Sequence, residues 1–427
     1  MTLQHLRVRE VFVSTLAVLI PEFPGQTHAF FMREKAAMES MGASIQILST
    51  RRPVAKESEA NHAWASDAAS KTIYLAPLDL RQWVLSIAEF VGAGPFAWWR
   101  CLSCTLNADV GFKDKVTMLG LVLIGAFLKR HCRVNAIRHI HVHSCANAAN
   151  IALFNRLLGG IPYSMTLHGP MQDYGFNQKA KWKNAAFVVV ITKDLMAESK
   201  EILSGVELPP LYLAPMGVNV DHFKRASPYL PPVKGEVVKL VSCGRIHPVK
   251  AHDDLIRAVA LLKDKGITAE LVICGAPDSQ SYTQNYSQEL DKLADELKVS
   301  DQVIRLGSIS EERVKQALEA AHVFCLASLK EPLGVATMEA MAMTIPVIVA
   351  RSPGVEEMIE NGEDGFLVEP RSPNEFSDAI QLLIGQPEKA EAIALAGRKK
   401  VVEKYHSGVS AKVILDGVNK YAPNDSE

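Results

Sequence analysis

The chain has 427 residues, enough for two domains, and 48% of them are hydrophobic, so each half can bury a core. The net charge of −1 points to no nucleic-acid partner, and no run of about 20 apolar residues is present to make a membrane-spanning helix. The charge is unevenly divided: residues 1–230 hold 24 Lys+Arg against 17 Asp+Glu, and residues 231–427 hold 22 against 30. A basic front half suits an anionic membrane surface or a phosphorylated acceptor, or is ordinary variation between two domains.

In chain order, the apolar run at 11–20 reads as a first buried strand. Glu10 before it and Pro21-Glu22 after it count against a signal-peptide core. A loop at 21–27, a helix at 30–41, a stop at Gly42 and a strand at 44–48 follow. Residues 80–133 read as helical. Two apolar stretches there, 83–100 and 116–130, end in basic residues and read either as core helices or as helices lying in a membrane interface. Strands are expected at 139–143, 162–168 and 186–191, with a helix at 148–158. The proline-rich stretch 208–232 breaks regular structure and reads as a connector. Strands at 237–243, 269–274, 302–306, 322–326, 345–350 and 365–368 then alternate with helices at 253–263, 288–297, 311–321 and 335–343. A last helix covers 410–421. This alternation is that of an α/β protein with doubly wound parallel sheets.

Seven cysteines are scattered, five of them in apolar runs, which suits buried free thiols in a reducing compartment. Cys101 and Cys104 form a C-x-x-C with no second pair at zinc spacing. His139, His141 and His143 alternate and so share one face of a strand. They could hold a metal or simply line that face; no carboxylate or Cys joins them at ligand spacing.

The densest chemistry lies at 327–370. Glu331 and Glu339 stand eight positions apart and bracket Gly334 and Val335, at the start of an Ala/Met-rich helical stretch. Carboxylates accept from sugar hydroxyls, and bare backbone at a glycine offers N–H donors. Upstream, VSCGRIHPVK at 241–250 follows a strand. Gly244 permits a tight exit, and Arg245 and Lys250 bring a planar fork and a point charge to a helix start, which favours anions. A nucleoside diphosphate fits that arrangement.

Together these motifs resemble the donor-sugar signature of retaining glycosyltransferases of family 4, E-x7-E preceded by G-R-x5-K. The resemblance implies the GT-B fold, two Rossmann-like doubly wound domains facing a central cleft. It implies an N-terminal acceptor-side domain over 1–215 and a C-terminal nucleotide-sugar-binding domain over 216–405. A helix and tail over 406–427 would cross back to the N-terminal domain. By the same resemblance Glu331 lies beside the donor sugar, Glu339 binds the nucleotide ribose, and Arg245 and Lys250 clamp the diphosphate. Gly244, Gly334 and Val335 would contribute backbone. Residues 305–309 resemble the segment whose backbone reads the base, which assigns Leu306 there. Residues 271–275 stand where the family has a strand ending in G-x-G-P, but the second glycine is missing. Residues 352–357 resemble the G-G-x-x-E turn, with Pro353 replacing the first glycine, Gly354 matching the second, and Glu357 capping or orienting the loop. FPGQTHAF at 23–30 resembles the F-P-x-x-S-E-T-F loop of exopolysaccharide-type members. Thr27 stands for its serine, near the diphosphate, while His28 and Ala29 depart from it. TLHG at 166–169 assigns His168 to the donor-sugar side, with Asp173 on the same loop.

The resemblance thus implies transfer of a sugar from a nucleoside-diphosphate sugar, with retention, to a hydroxyl of a saccharide or lipid-linked saccharide. The expected setting is bacterial exopolysaccharide or cell-surface polysaccharide assembly, the colanic-acid type included. The expected place is the cytoplasm, with a peripheral contact at the inner face of the plasma membrane. The donor is a substrate, and no further cofactor is expected. No Asp-x-Asp is placed to hold a divalent ion, so no metal is expected either. Two other readings use the same scaffold: a sugar-nucleotide epimerase, which needs no acceptor, and a non-catalytic sugar-nucleotide-binding partner subunit.

Overall fold

Strand β1, Thr15–Glu22, buries Leu16 through Ile20 without interruption, as a strand covered by helices on both faces of its sheet must. The computed structural model describes residues 15–25, 28–53, 64–277 and 280–421. The beginning of the apolar run at 11–20, Thr27 and Asp278 lie outside these residues. The chain divides into two units. One comprises residues up to Val54, Ser66–Pro215 and Ser410 onward; the other comprises Ala55–Ala65 and Met216–Val409.

In the first unit β1 is followed by β2 (Ser44–Arg51), β3 (Ile73–Tyr74), β4 (Ile137–Val142), β5 (Tyr163–Leu167), β6 (Val188–Val190) and β7 (Leu211–Leu213). They form a parallel sheet in the order β3-β2-β1-β4-β5-β6-β7. In the second, β8 (Val238–Cys243), β9 (Ala269–Cys274), β10 (Val303–Gly307), β11 (Val323–Leu326), β12 (Val347–Ala350) and β13 (Phe366–Val368) form a parallel sheet in the order β10-β9-β8-β11-β12-β13. Both are doubly wound α/β sheets. The strand order reverses between β1 and β4 in one and between β8 and β11 in the other. Crevices outside the carboxyl ends of such strands are where open α/β sheets take ligands.

The helices that matter below are α1 (Ala29–Ser40), α2 (Leu80–Gly92), α3 (Pro95–Leu106), α4 (Phe112–Val134), α5 (Asn147–Leu157), α6 (His252–Asp264), α7 (Val335–Ala342) and α8 (Ser407–Tyr421). Local sequence explains their starts. Asp79 and Gln82 exchange side chain-to-backbone hydrogen bonds in a capping box at α2. Pro95 occupies the first turn of α3, where no N–H is missed. Gly125 lets α4 lie close to α5, since a Cβ there would come within 2.8 Å of the Phe154 Cβ.

Three expectations change. The proline-rich stretch at 208–232 is not wholly irregular: right after Pro209-Pro210 the chain forms β7, the edge strand of the first sheet. Residues 373–404, without an assignment from sequence, form two helices, Pro373–Gly385 and Pro387–Lys404. The stretches 83–100 and 116–130 are helical, but they are not fully in the core: Trp83, Val84, Ile87, Phe96, Trp99 and Val116 are exposed.

Candidate functional site

In the second unit, the loops leaving β8 and β11 meet. Lys250 ends a short 3-10 turn, Pro248–Lys250, and its ammonium donates to Oε2 of Glu331 at 2.5 Å. Both side chains are mostly buried, so each charge offsets the desolvation of the other. Backbone locks the two loops together. Leu329 N–H donates to the Val249 carbonyl at 2.8 Å, and the Ser328 hydroxyl donates to the same oxygen at 3.4 Å.

Glycines make this approach possible. A Cβ on Gly275 would lie 1.8 Å from the Gly244 carbonyl oxygen, and a Cβ on Gly354 would lie 1.8 Å from that of Pro332. Gly354 therefore lets the turn after β12 press on the segment joining Glu331 to Gly334. Gly334 itself is left-handed, with φ of +84°, and starts α7, a conformation that favours glycine.

The two nearby helix starts differ as anion sites. Helix α6 carries Asp253 and Asp254 in its first turn. Their charge opposes a phosphate there, and Arg371 already pairs with both. Helix α7 has no acid in its first turn and no side-chain cap on its N–H groups. The sequence reading placed the anion-favouring start after Lys250; by charge, the start at Val335 is the better one. Glu339 lies one turn along α7 and is half-buried. Its carboxylate helps hold the Cys243 thiol, at the carboxyl end of β8, well above its ordinary range; the Cys274 hydrogen bond and burial are the larger causes.

Arg245 is exposed on the loop after β8. Its carbonyl accepts from His252 Nε2 at 3.2 Å. Burial lowers the His252 pKa to about 4, so a neutral imidazole pins the loop. His247 accepts from Val249 N–H at 3.1 Å and meets Tyr282 edge-on. Sequence reasoning missed both histidines. The one available signal was their position, two residues beyond Arg245 and two beyond Lys250. Leu306 is half-buried on β10, the edge strand two places from β8. Glu357 is exposed directly after the short helix Pro353–Glu356. Ser352 stands at the N-cap position, and its hydroxyl, instead of capping the helix, donates to the Glu331 carbonyl at 3.4 Å.

In the first unit, His168 follows β5 directly. Its Nε2 lies 3.2 Å from His143 Nδ1, the rings stack, and the Phe30 ring is tilted against it at 5.3 Å. Burial, then His143 and His28, push its pKa well below the ordinary value. His143 Nε2 lies 3.0 Å from Glu34 Oε2 on α1. His139, His141 and His143 share the inner face of β4 and its end, as their alternation predicts. His139 and His141 both bond the Ser164 hydroxyl at 2.8 Å, and His141 also bonds Thr166. Ser164 has one proton to give, so when both bonds form, at least one of the two rings donates to it. Among the described residues, no group of three or more His, Cys, Asp or Glu is arranged to hold a metal ion. Lys181, fully buried on the helix Gln178–Lys183, donates to the Cys145 carbonyl, and burial lowers its pKa to about 8. Neither Glu34 nor Lys181 had a sequence signal, since their partners lie far along the chain.

Comparison with known proteins bears on both units. Residues 231–400 match the family described as Glycosyl transferases group 1. The chain is 32% identical over 157 residues to the D-inositol 3-phosphate glycosyltransferase of Streptomyces griseus, across 36% of this chain and 33% of that one. It is 29% identical over 217 residues to the GDP-mannose-dependent alpha-(1-6)-phosphatidylinositol monomannoside mannosyltransferase of Mycobacterium tuberculosis, across 48% of this chain and 54% of that one. These matches span between a third and about half of the relatives' length. The Anabaena protein HepE, solved in complex with UDP-glucose, superposes with a TM-score of 0.67 at 14% identity, over 95% of this chain and 99% of that one. The likeness at this identity is one of fold. Residues 231–400 therefore carry a group 1 glycosyl transferase segment, within a chain of the two-domain GT-B fold.

Proposed function

We propose that the chain is a retaining glycosyltransferase that moves a sugar from a nucleoside-diphosphate sugar to a hydroxyl of a saccharide or lipid-linked saccharide, in cell-surface polysaccharide assembly. The observation that carries the reading is the 2.5 Å Lys250–Glu331 pair where the strand order reverses, beside the uncapped start of α7. It sets a cation for a diphosphate next to a carboxylate for sugar hydroxyls. The activities named for the two relatives support the class: both transfer sugars, one of them onto a phosphatidylinositol mannoside.

In this reading Lys250, Arg245 and the first-turn N–H groups of α7 stabilise the departing diphosphate. Stabilisation of developing charge by fixed donors is commonly the largest catalytic contribution. Glu331 orients the donor sugar, Glu339 takes the ribose hydroxyls, and His168 takes the role at the donor sugar that the resemblance gives it. The acceptor attacks on the face the diphosphate leaves, and a phosphate oxygen takes the acceptor proton. The bond from the anomeric carbon to the diphosphate breaks as the bond to the acceptor oxygen forms, which conserves configuration. Turnover needs no divalent metal.

The test begins with nucleoside-diphosphate sugars screened for protection against thermal unfolding. A ligand at 100 times its dissociation constant adds about 2.7 kcal/mol. The protecting donor is then incubated with saccharide acceptors, and the anomeric configuration of the product is read by NMR. A new sugar nucleotide formed from the donor alone would instead identify an epimerase. Protection without any product would identify a binding subunit. Activity lost in EDTA and restored by magnesium would overturn metal independence.

A further inference from the structure

Between β3 and β4 the first unit carries three helices, and each turns an apolar stripe outward. On α2 the stripe includes Leu80 and Val84, on α3 Phe96 and Trp99, and on α4 Phe112 and Val116, spaced three or four residues apart on their helices. Leu80, Phe96 and Phe112 are 83%, 75% and 82% exposed. The helices are tied side by side. Trp98 Nε1 donates to the Phe90 carbonyl and its ring stacks on Phe90, joining α2 to α3. Lys115 Nζ donates to the Leu106 carbonyl, joining α3 to α4. Apolar surface of this extent on a folded chain marks a contact surface.

The chemistry of the surface says what covers it. Trp83, Trp98 and Trp99 are three of the five tryptophans of the chain, and tryptophan concentrates at the level of lipid headgroups. Glu89 is buried and held by Lys129 and Arg133. Outside that cluster, residues 80–134 carry Arg81, Arg100, Lys113, Lys115 and Arg130 against Asp109 and Asp114. Arginine and lysine at the edge of an apolar face lay their stems along it and reach headgroup phosphates with their charged ends. Beside Trp99 and Arg100 opens a cleft of about 830 Å³, whose rim also holds Lys179 and Lys183, with Asp109 and Glu207. Among the described residues no helix is long and apolar enough to cross a membrane, so the contact is one of lying on the surface.

We propose that the outer face of α2, α3 and α4 seats the protein in the interface of a lipid bilayer bearing anionic phospholipids, with aromatic side chains among the acyl chains and the basic groups on the phosphates. The proposal deepens the lipid-linked acceptor reading and rests on it for its purpose, since it brings the enzyme to where such an acceptor lies. Its test uses neither donor nor acceptor, so the two fail separately.

The full chain is sedimented with vesicles of equal parts phosphatidylcholine and phosphatidylglycerol, and with vesicles of phosphatidylcholine alone. The expected result is binding to the mixed vesicles, about tenfold weaker on the neutral ones, with quenching of tryptophan fluorescence by brominated lipid. The combined variant Phe96→Ser, Trp99→Ser, Phe112→Ser should bind at least about tenfold more weakly. Its thermal unfolding should match the wild type, because all three side chains face outward. Combining Arg100→Glu with Lys113→Glu should remove the preference for anionic vesicles. A wild-type chain that stays in the supernatant overturns the proposal, as does a triple variant that binds like the wild type. So does a wild-type dimer that ignores vesicles and dissociates in the triple variant, which would show that a second copy covers the face.

Discussion

The ammonium of Lys250 is 2.5 Å from Oε2 of Glu331, 81 positions away in sequence, and both groups are largely withdrawn from water. If Lys250 takes a diphosphate as proposed, an incoming diphosphate competes with Glu331 for it, and the carboxylate becomes free for the sugar only when the phosphate takes its place. Glu331→Gln should therefore tighten binding of the free nucleoside diphosphate several-fold in calorimetry while lowering transfer by ~10²–10³. Lys250→Met should abolish measurable diphosphate binding. If Glu331→Gln weakens the diphosphate as much as it weakens transfer, the two do not compete.

Gly354 carries a second, steric test. A Cβ there would overlap the Pro332 carbonyl oxygen, and that atom is backbone, which yields only by moving the segment between Glu331 and Gly334. Overpacking of this kind costs about 1–3 kcal/mol. Gly354→Ala should lower the unfolding midpoint of the second unit and weaken donor binding together. Gly385→Ala is the control: a Cβ there meets nothing within 4 Å, so stability and binding should stay as they are.

The doubly wound sheets were readable because their strands are short apolar runs set between helices. Cys243, Cys274, Leu326 and Ala350 end strands where the composition says they should. Gly244, Lys250, Glu331 and Gly334 were singled out for the same reason: each has a distinctive local role. What was not readable depended on distance or on context. Residues 373–404 carried no assignment, yet Pro373 and Pro387 each sit in the first turn of a helix, where a missing N–H costs nothing. Strand β7 has three residues and follows two prolines, so its sheet neighbours rather than its sequence make it a strand. The stripe of Trp83, Val84 and Ile87 has the period of a core helix. Periodicity shows that a face is apolar and leaves open what lies against it. The ion pair of Lys250 with Glu331 was beyond reach because the two loops meet only once the sheet has formed.

His168 lies on the other unit from the diphosphate-binding candidates, which separates its contribution in kinetics. Its neutral ring is held by His143 and Phe30. If it acts on the donor sugar in the transition state, His168→Asn should lower kcat by about 10² or more. Affinity for the free nucleoside diphosphate should stay within about twofold. Loss of nucleotide affinity with kcat preserved would remove His168 from the sugar side.

The buried histidines set how the protein responds to acid. Burial lowers the pKa of His139 to about 3 and that of His252 to about 4, and it holds His141 and His168 well below their ordinary value. His139 stacks on Phe187 and bonds Ser164; His141 faces Ser164, Thr166 and the rings of His139, His143 and His168. These groups are neutral in the fold and take up protons once unfolded below pH of about 6.5. Their stabilisation is therefore fully present above that pH and declines as pH falls toward the folded values. Each contributes a slope of about 1.4 kcal/mol per pH unit in that window. Urea unfolding followed from pH 7 to pH 5 should show the transition of each unit moving to lower denaturant, with the first unit, which holds three of the four, moving further. His139→Gln, which keeps a polar group near Ser164 without a titrating ring, should reduce the slope for the first unit by one histidine's share. An unfolding midpoint that is constant between pH 7 and pH 5 would mean that these rings are hydrated in the folded state, and the dry face assigned to β4 would be wrong.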